Sequence, residues 1–252
     1  MLKGFALRSI FDLRGWILPP CPLVLPTAEF FSNRLSIPGE EELARFFRRV
    51  SEKGVGSPLI LALFDGKAAS GNPLPPEIAP RVGEDGFHYW RAFPLVLQRQ
   101  LRGWLAASFF AKSWILVPNL RRFGEYAFFK EALDEARDSL FQQGAPFDRY
   151  AKFGFLLDSL SGLEAMAEVP VYDFLLLDLD RLACQWLGLS FPTQLSSYLP
   201  LGGEELNWLR LRLDWIPFAE RWVGAVTRYP TAWSDLDHFP FQAFLEARGL
   251  ES

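Results

Sequence analysis

Two places in the chain combine residue types that could do chemistry. LLLDLD (175–180) sets Asp178 and Asp180 one residue apart behind an apolar run. At the end of a strand, such a pair can aim two carboxylates at one cation, as metal-dependent phosphoryl transfer requires. FDGK (64–67) places Lys67 two residues after Asp65. An acid and a lysine so spaced can hold a metal ion and offset the charge of a phosphate.

Each has a plainer reading. LLLDLD continues with Arg181 and Leu182. On a helical wheel Asp173, Asp178, Asp180, Arg181 and Gln185 share one half, which predicts a helix with a wet face where Asp178 can pair with Arg181. FDGK reads first as a buried strand closing on an Asp-Gly turn. To catalyse phosphodiester cleavage, Asp65 and Lys67 would need a further acid from a neighbouring strand. Glu40–Glu42 and Glu52 instead sit on the helix expected before it. His88 and His238 are the only histidines, and neither lies in HExxH or HxH. Asp235 and His238 could meet on one helical turn, but two ligands are an incomplete site, and Ser234 or Asp235 reads better as an N-cap. GxSxG, GxGxxG and the P-loop pattern are absent. Cys21 and Cys184 show no ligand spacing. The sequence therefore assigns no catalytic residue, metal site or cofactor, with Asp65 and Lys67 as the alternative catalytic pair.

Arginines beside aromatic rings form a second class. FFRRV (46–50) and NLRRFGEY (119–126) contribute Arg45, Arg48, Arg49, Arg121 and Arg122. Arginine with stacking rings suits single-stranded nucleic acid and equally a protein interface. The net charge of −4 and pI of 5.4 favour the interface. NWLRLRLDW (207–215) alternates like a strand, yet Trp208, Trp215 and Trp222 recur every seven residues like a helix. The helix is preferred, because Gly203-Glu204-Glu205 is a fitting start and the flanking segments look helical. It should end or kink at Pro217. Trp208, Arg212, Trp215 and Trp222 are the expected interface residues. Arg212 falls within the apolar stripe and needs an acid or a partner to receive it.

The elements that must carry these residues divide into two parts. Residues 1–118 read as a mixed part with proline-rich loops. ILPPCPLVLP (17–26) is extended. A helix spans 37–54, with Glu40–Glu42 at its start and Leu43, Phe46, Phe47 and Val50 as its stripe. A strand is expected within 58–67, a loop over 68–86 and a second strand within 86–97. Helix-like patterning then runs from 98 to 117. Residues 119–252 read as helical nearly throughout: 119–144, 146–168, 169–188, 203–226 and 239–249. The expected fold class is α+β and predominantly α. A few N-terminal strands pack on a helical C-terminal bundle, and no flexible linker separates the two parts.

Composition sets the functional expectation. Half of the 252 residues are hydrophobic and 15% aromatic, with 24 Phe and 9 Trp. A single domain can bury many of these rings but is not expected to bury all, and large apolar patches left on a surface mark interfaces. Only six of the 26 basic residues are lysine, as in a thermophile or a GC-rich genome. Charges interrupt the apolar N-terminal stretch and both of the most apolar internal stretches, which argues against a signal peptide and a membrane span. The sequence thus points to a non-catalytic interaction subunit of a larger cytoplasmic assembly, with a protein partner or a second copy on its aromatic surface. The alternatives are a metal-dependent nuclease centred on Asp65 and Lys67, or an accessory nucleic-acid-binding subunit.

Overall fold

In the computed structural model, runs of four or five largely apolar residues recur along the chain, and each becomes a strand. They are β2 (Leu23–Pro26), β3 (Leu59–Ala62), β4 (Ser113–Val117), β5 (Phe153–Leu157) and β6 (Phe174–Asp178). The two-residue β1 (Phe5–Ala6) and the five-residue β7 (Trp222–Val226) flank them. The structure describes residues 5–6, 23–32, 34–52, 59–67, 73–80, 86–189 and 222–226. Between strands lie α1 (Ala28–Phe31), α2 (Glu40–Ser51), α3 (Gly86–Ala92), α4 (Pro94–Phe110), α5 (Phe123–Gln142), α6 (Leu160–Met166) and α7 (Leu179–Trp186).

Every strand pairs in parallel with the one before it, giving one seven-stranded sheet in sequence order. Parallel neighbours need a crossover, and right-handed crossovers that always add to the same edge curl the sheet one way. The result is an arc of a β/α barrel, with all the C-terminal strand ends on one rim.

Alternate strand residues fill two separate cores. Leu25, Leu59, Leu61, Ile115, Val117, Phe153, Phe155, Leu157, Leu175 and Leu177 face the helices. Ile60, Leu116, Phe174 and Leu176 face the concave side, with Val24, Ala62, Trp114 and Leu156 packed against them. Asp158 and Asp178 continue the concave rows of β5 and β6 at the rim. α4 packs against α2 and α5, and its Trp104 is fully buried.

The α+β, mainly helical expectation is therefore wrong: this is a parallel α/β sheet that continues across residue 118. Strands covered on both faces lose their apolar–polar alternation, so FGFLL and FLLLD carry no period that separates strand from helix. The single helices expected over 146–168 and 169–188 each resolve into a strand and a short helix. The helix-like 98–117 divides into the end of α4 and all of β4. The strand expected within 86–97 is α3 and the start of α4, with Pro94 beginning α4 where its missing N–H costs nothing. The last residues of the helix expected over 203–226 form β7. Helices α2 and α5 and strand β3 fall where expected.

Among the described residues, many of the aromatic rings fill the core, while Phe109, Phe110, Phe141 and Tyr150 stay exposed. Trp90, Trp104, Tyr89, Phe31, Phe47, Phe64, Phe129, Phe155 and Phe174 are almost wholly buried, because a sheet covered on both faces has two cores to fill. Among the described residues, no helix is long and apolar enough to cross a membrane.

Candidate functional site at the C-terminal rim

Three apolar runs close on an aspartate: LALFD (61–65), GFLLD (154–158) and FLLLD (174–178). In a parallel sheet this repetition delivers Asp65, Asp158 and Asp178 to the same rim, from β3, β5 and β6. β4 delivers Asn119 between them.

After β3 the chain leaves the ladder at Phe64, and buried Gln100 takes over its backbone. The Phe64 N–H donates to Gln100 Oε1 at 2.8 Å, and Gln100 Nε2 donates to Phe64 O at 3.1 Å. Trp90 Nε1 donates to the same carbonyl at 2.9 Å. Asp65 is buried at the turn that follows. Gly66 has φ +92°, and a Cβ there would stand 2.6 Å from the Tyr89 ring, so the corner requires glycine. The turn folds Lys67 back, with its N–H on Asp65 Oδ1 at 3.3 Å and its Nζ 3.7 Å from Asp65 Oδ2. Across from β4, Asn119 Nδ2 donates to Asp65 Oδ2, and Lys67 Nζ donates to Asn119 Oδ1 at 3.4 Å. Asn119 is the one non-glycine residue with positive φ, at 60°, among those described. Asparagine tolerates this conformation best, and backbone strain of this kind gathers at working sites. Burial, and then the Asp65 charge, raise the Tyr89 phenol well above its ordinary range, so it stays neutral.

The second half of the site lies at β5 and β6. Asp178 ends β6 and caps α7, its Oδ1 accepting the Arg181 N–H at 3.0 Å. Arg181 then bridges two strand ends: Nη1 donates to Asp158 Oδ2 at 2.7 Å, and Nε lies 3.5 Å from Asp178 Oδ2. Asp158 is only 3% exposed, and its Oδ1 has no hydrogen-bond partner. Burial pushes the Asp178 carboxyl up to about 6. The Arg181 N–H and charge pull against this, and the charges of Asp180 and Asp158 add to it. Asp180 is also buried, in the first turn of α7. Gln185 ties the loops together, accepting from Leu160 N at 3.0 Å and donating to Asp158 O at 3.2 Å. Gly162 sets α6 against the β4–α5 loop, since a Cβ there would collide with Leu120 O.

The structure thus brings Asp65 and Lys67 together at a strand end. The side chain met across from β4 is the Asn119 amide. LLLDLD is a strand end after all, not the wet face of one helix. Asp158 and Asn119 escaped the sequence reading, although the repeated closing aspartate was a signal for the first. Arg121 and Arg122 end the β4–α5 loop on the same rim, exposed, with their N–H groups held by Glu125. Arg45, Arg48 and Arg49 lie apart on α2. There Arg48 pairs with Glu52 at 2.7 Å and covers the Phe110 ring at 4.5 Å. His88 is exposed on α3, and Cys184 is a buried free thiol. Trp208, Arg212, Trp215, Cys21 and His238 lie outside the described residues, and Trp222 opens β7 opposite Phe174.

Residues 25–175 match the family model of the PEP-utilising enzyme, PEP-binding domain, which covers more than half of the chain. The chain belongs to this family. Multiphosphoryl transfer protein 2 of Escherichia coli (strain K12) is 28% identical over 135 residues, which are 52% of this chain and 16% of that protein. Phosphoenolpyruvate-protein phosphotransferase of Buchnera aphidicola subsp. Schizaphis graminum is 24% identical over 207 residues, which are 79% of this chain and 36% of that protein. The chain therefore spans well under half the length of these relatives. A citrate lyase from Burkholderia xenovorans LB400 shares the fold, with a TM-score of 0.53 and 13% identity, covering 98% of this chain and 75% of that one.

Membership in a family of PEP-utilising enzymes overturns the expectation of a non-catalytic interaction subunit, together with its nuclease and nucleic-acid-binding alternatives. Among the described residues, the arginines that suggested those roles lie on the surface of α2 and in a loop at the rim.

Proposed function

We propose that this chain is a catalytic domain that binds a phosphoenolpyruvate-type ligand, a small carboxylate bearing an enol phosphate, at the C-terminal rim. One coincidence carries this reading. The segment that matches the PEP-binding family, residues 25–175, supplies Asp65, Lys67, Asn119, Arg121, Arg122 and Asp158, all at or just after strand ends on that rim. Ligands of β/α barrels bind on that face.

The chemistry of the ligand gives the residues their roles. Carboxylate and phosphate both need positive charge, and the rim offers Lys67, Arg121, Arg122 and Arg181. Asp65 and Asn119 act through Lys67, fixing its ammonium. When a phosphoryl group leaves an enol phosphate, the O–P bond breaks and the oxygen keeps the electron pair. The resulting enolate becomes pyruvate by taking a proton at its terminal carbon. A carboxyl raised to about 6 is suited to hold and pass such a proton, and Asp178 is that group. The phosphorus forms its new bond to an acceptor nucleophile opposite the departing enolate oxygen, and the relative of which this chain covers 36% has a protein as acceptor in its name.

The reading predicts that phosphoenolpyruvate stabilises the full chain against heat. A ligand at about 100 times its Kd adds about 2.7 kcal/mol. Lys67→Ala should lose most of that gain while its melting point without ligand changes little. An unchanged melting point of the wild type at millimolar phosphoenolpyruvate would count against the proposal.

A further inference from the structure

Asp158 follows β5, and Asp178 and Asp180 lie where β6 meets α7 on the same rim, and neighbouring carboxylates need positive charge between them. A divalent ion could supply it, and so can a guanidinium, whose planar fork reaches two carboxylates at once. Arg181 does this: 2.7 Å to Asp158 Oδ2 through Nη1 and 3.5 Å to Asp178 Oδ2 through Nε. Its own N–H fixes the other Asp178 oxygen at 3.0 Å, so the helix turn that carries the arginine is tied to the acid it neutralises. Among the described residues, no three His, Cys, Asp or Glu side chains are grouped as metal ligands. Asp158 nevertheless keeps an unpartnered oxygen while 3% exposed, a donor atom that a cation could take if the guanidinium left.

We propose that Arg181 is the resident cation of this rim, standing between Asp158 and Asp178 in place of a divalent metal ion. Charge balance there comes from the protein itself. This inference goes beyond the ligand reading, and its readout is metal binding, so the two can fail separately.

The test is Mn²⁺ titration of the full chain, followed by the resonance of the free ion. The wild type should leave Mn²⁺ free. Arg181→Gln should bind one ion per chain at least roughly tenfold more tightly than wild type. Adding Asp158→Asn to that variant should abolish the gain. Saturable one-to-one Mn²⁺ binding by the wild type would overturn the proposal, as would an Arg181→Gln protein that is folded and binds no more tightly than wild type. If circular dichroism shows Arg181→Gln unfolded, Arg181→Lys replaces it. One ammonium cannot span both acids, so a smaller gain in Mn²⁺ affinity is expected, and no gain overturns the proposal. Thermal unfolding of the wild type adds an arm that needs no variant: an unchanged midpoint with Mn²⁺ supports the resident arginine, and a raised midpoint contradicts it.

Discussion

Asp178 provides a quantitative test of how the rim is balanced. Burial favours its neutral form, whereas the Arg181 N–H and guanidinium favour its charged form, and burial wins. The group rises from 3.8 to about 6, and by linkage this difference is worth up to about 3 kcal/mol. The sign follows from proton counting. Between pH 4 and 6 the unfolded chain has released this proton while the native state keeps it. Stability therefore falls as pH rises through that window, and the loss is complete above pH 6. Asp178→Asn removes the ionisation and keeps a good N-cap for α7. The attraction of Arg181, which is 48% exposed, is already contained in that net shift, and the partial exposure of both groups reduces what the shift is worth. With Asp178 itself 22% exposed, the net expectation is that the variant gains on wild type by about 1–2 kcal/mol between pH 4 and pH 8. Urea unfolding of both proteins at pH 4, 6 and 8 measures this, and taking the difference removes the titration of other acids. A difference that is flat with pH, or a variant that grows relatively weaker towards pH 8, would refute the reasoning. It would mean that Arg181, not burial, controls the carboxyl.

Three further outcomes follow from the same geometry. Gln100→Leu leaves the buried Phe64 N–H without its acceptor while Trp90 still serves the Phe64 carbonyl, so chemical denaturation should show a loss of about 1–3 kcal/mol. Gly162→Ala presses a Cβ onto the Leu120 carbonyl, which is backbone and cannot swing aside. Stability should fall by about 1–3 kcal/mol, with a larger effect on ligand binding than a surface Gly→Ala such as Gly124. Asn119→Ala removes the amide between Asp65 and Lys67 and leaves alanine at φ 60°, costing about 1–2 kcal/mol from the backbone alone. Calorimetry should show weakened phosphoenolpyruvate binding even where the variant is fully folded.

The sequence carried some of this fold in readable form, and the residues show why only some. α2 was legible because Leu43, Phe47 and Val50 face one core while Glu and Arg face water. α5 was legible for the same reason, with Tyr126, Phe129, Leu133, Ala136 and Leu140 buried along one side. β5 and β6 were not, because Phe153 and Phe155 pack on helices while Leu156 and Phe174 pack on the concave face. Burial on both sides erases the period on which a local reading depends. At the site, Asp178 and Asp180 stood out as a pair suited to chemistry, but a helix with a wet face offered a plainer account of both. Asp65 and Lys67 were singled out together, and the structure does join them. Their partner Asn119 was hidden because it stands 54 residues from Asp65, and only strand pairing brings them into contact. Arg181 read as a local i,i+3 partner of Asp178, which it is. Its stronger contact, to Asp158, is 23 residues away and again depends on the sheet.

The central claim is that the C-terminal rim binds a phosphoenolpyruvate-type ligand through the residues that converge there. Titration calorimetry of phosphoenolpyruvate into the full chain, beside Lys67→Ala and Arg181→Gln, tests it most directly. The account predicts saturable one-to-one binding by the wild type, weaker binding of pyruvate and of inorganic phosphate taken singly, and at least roughly tenfold loss in each variant. Wild-type protein that is folded and takes up no phosphoenolpyruvate, or binding that both variants retain unchanged, would contradict it.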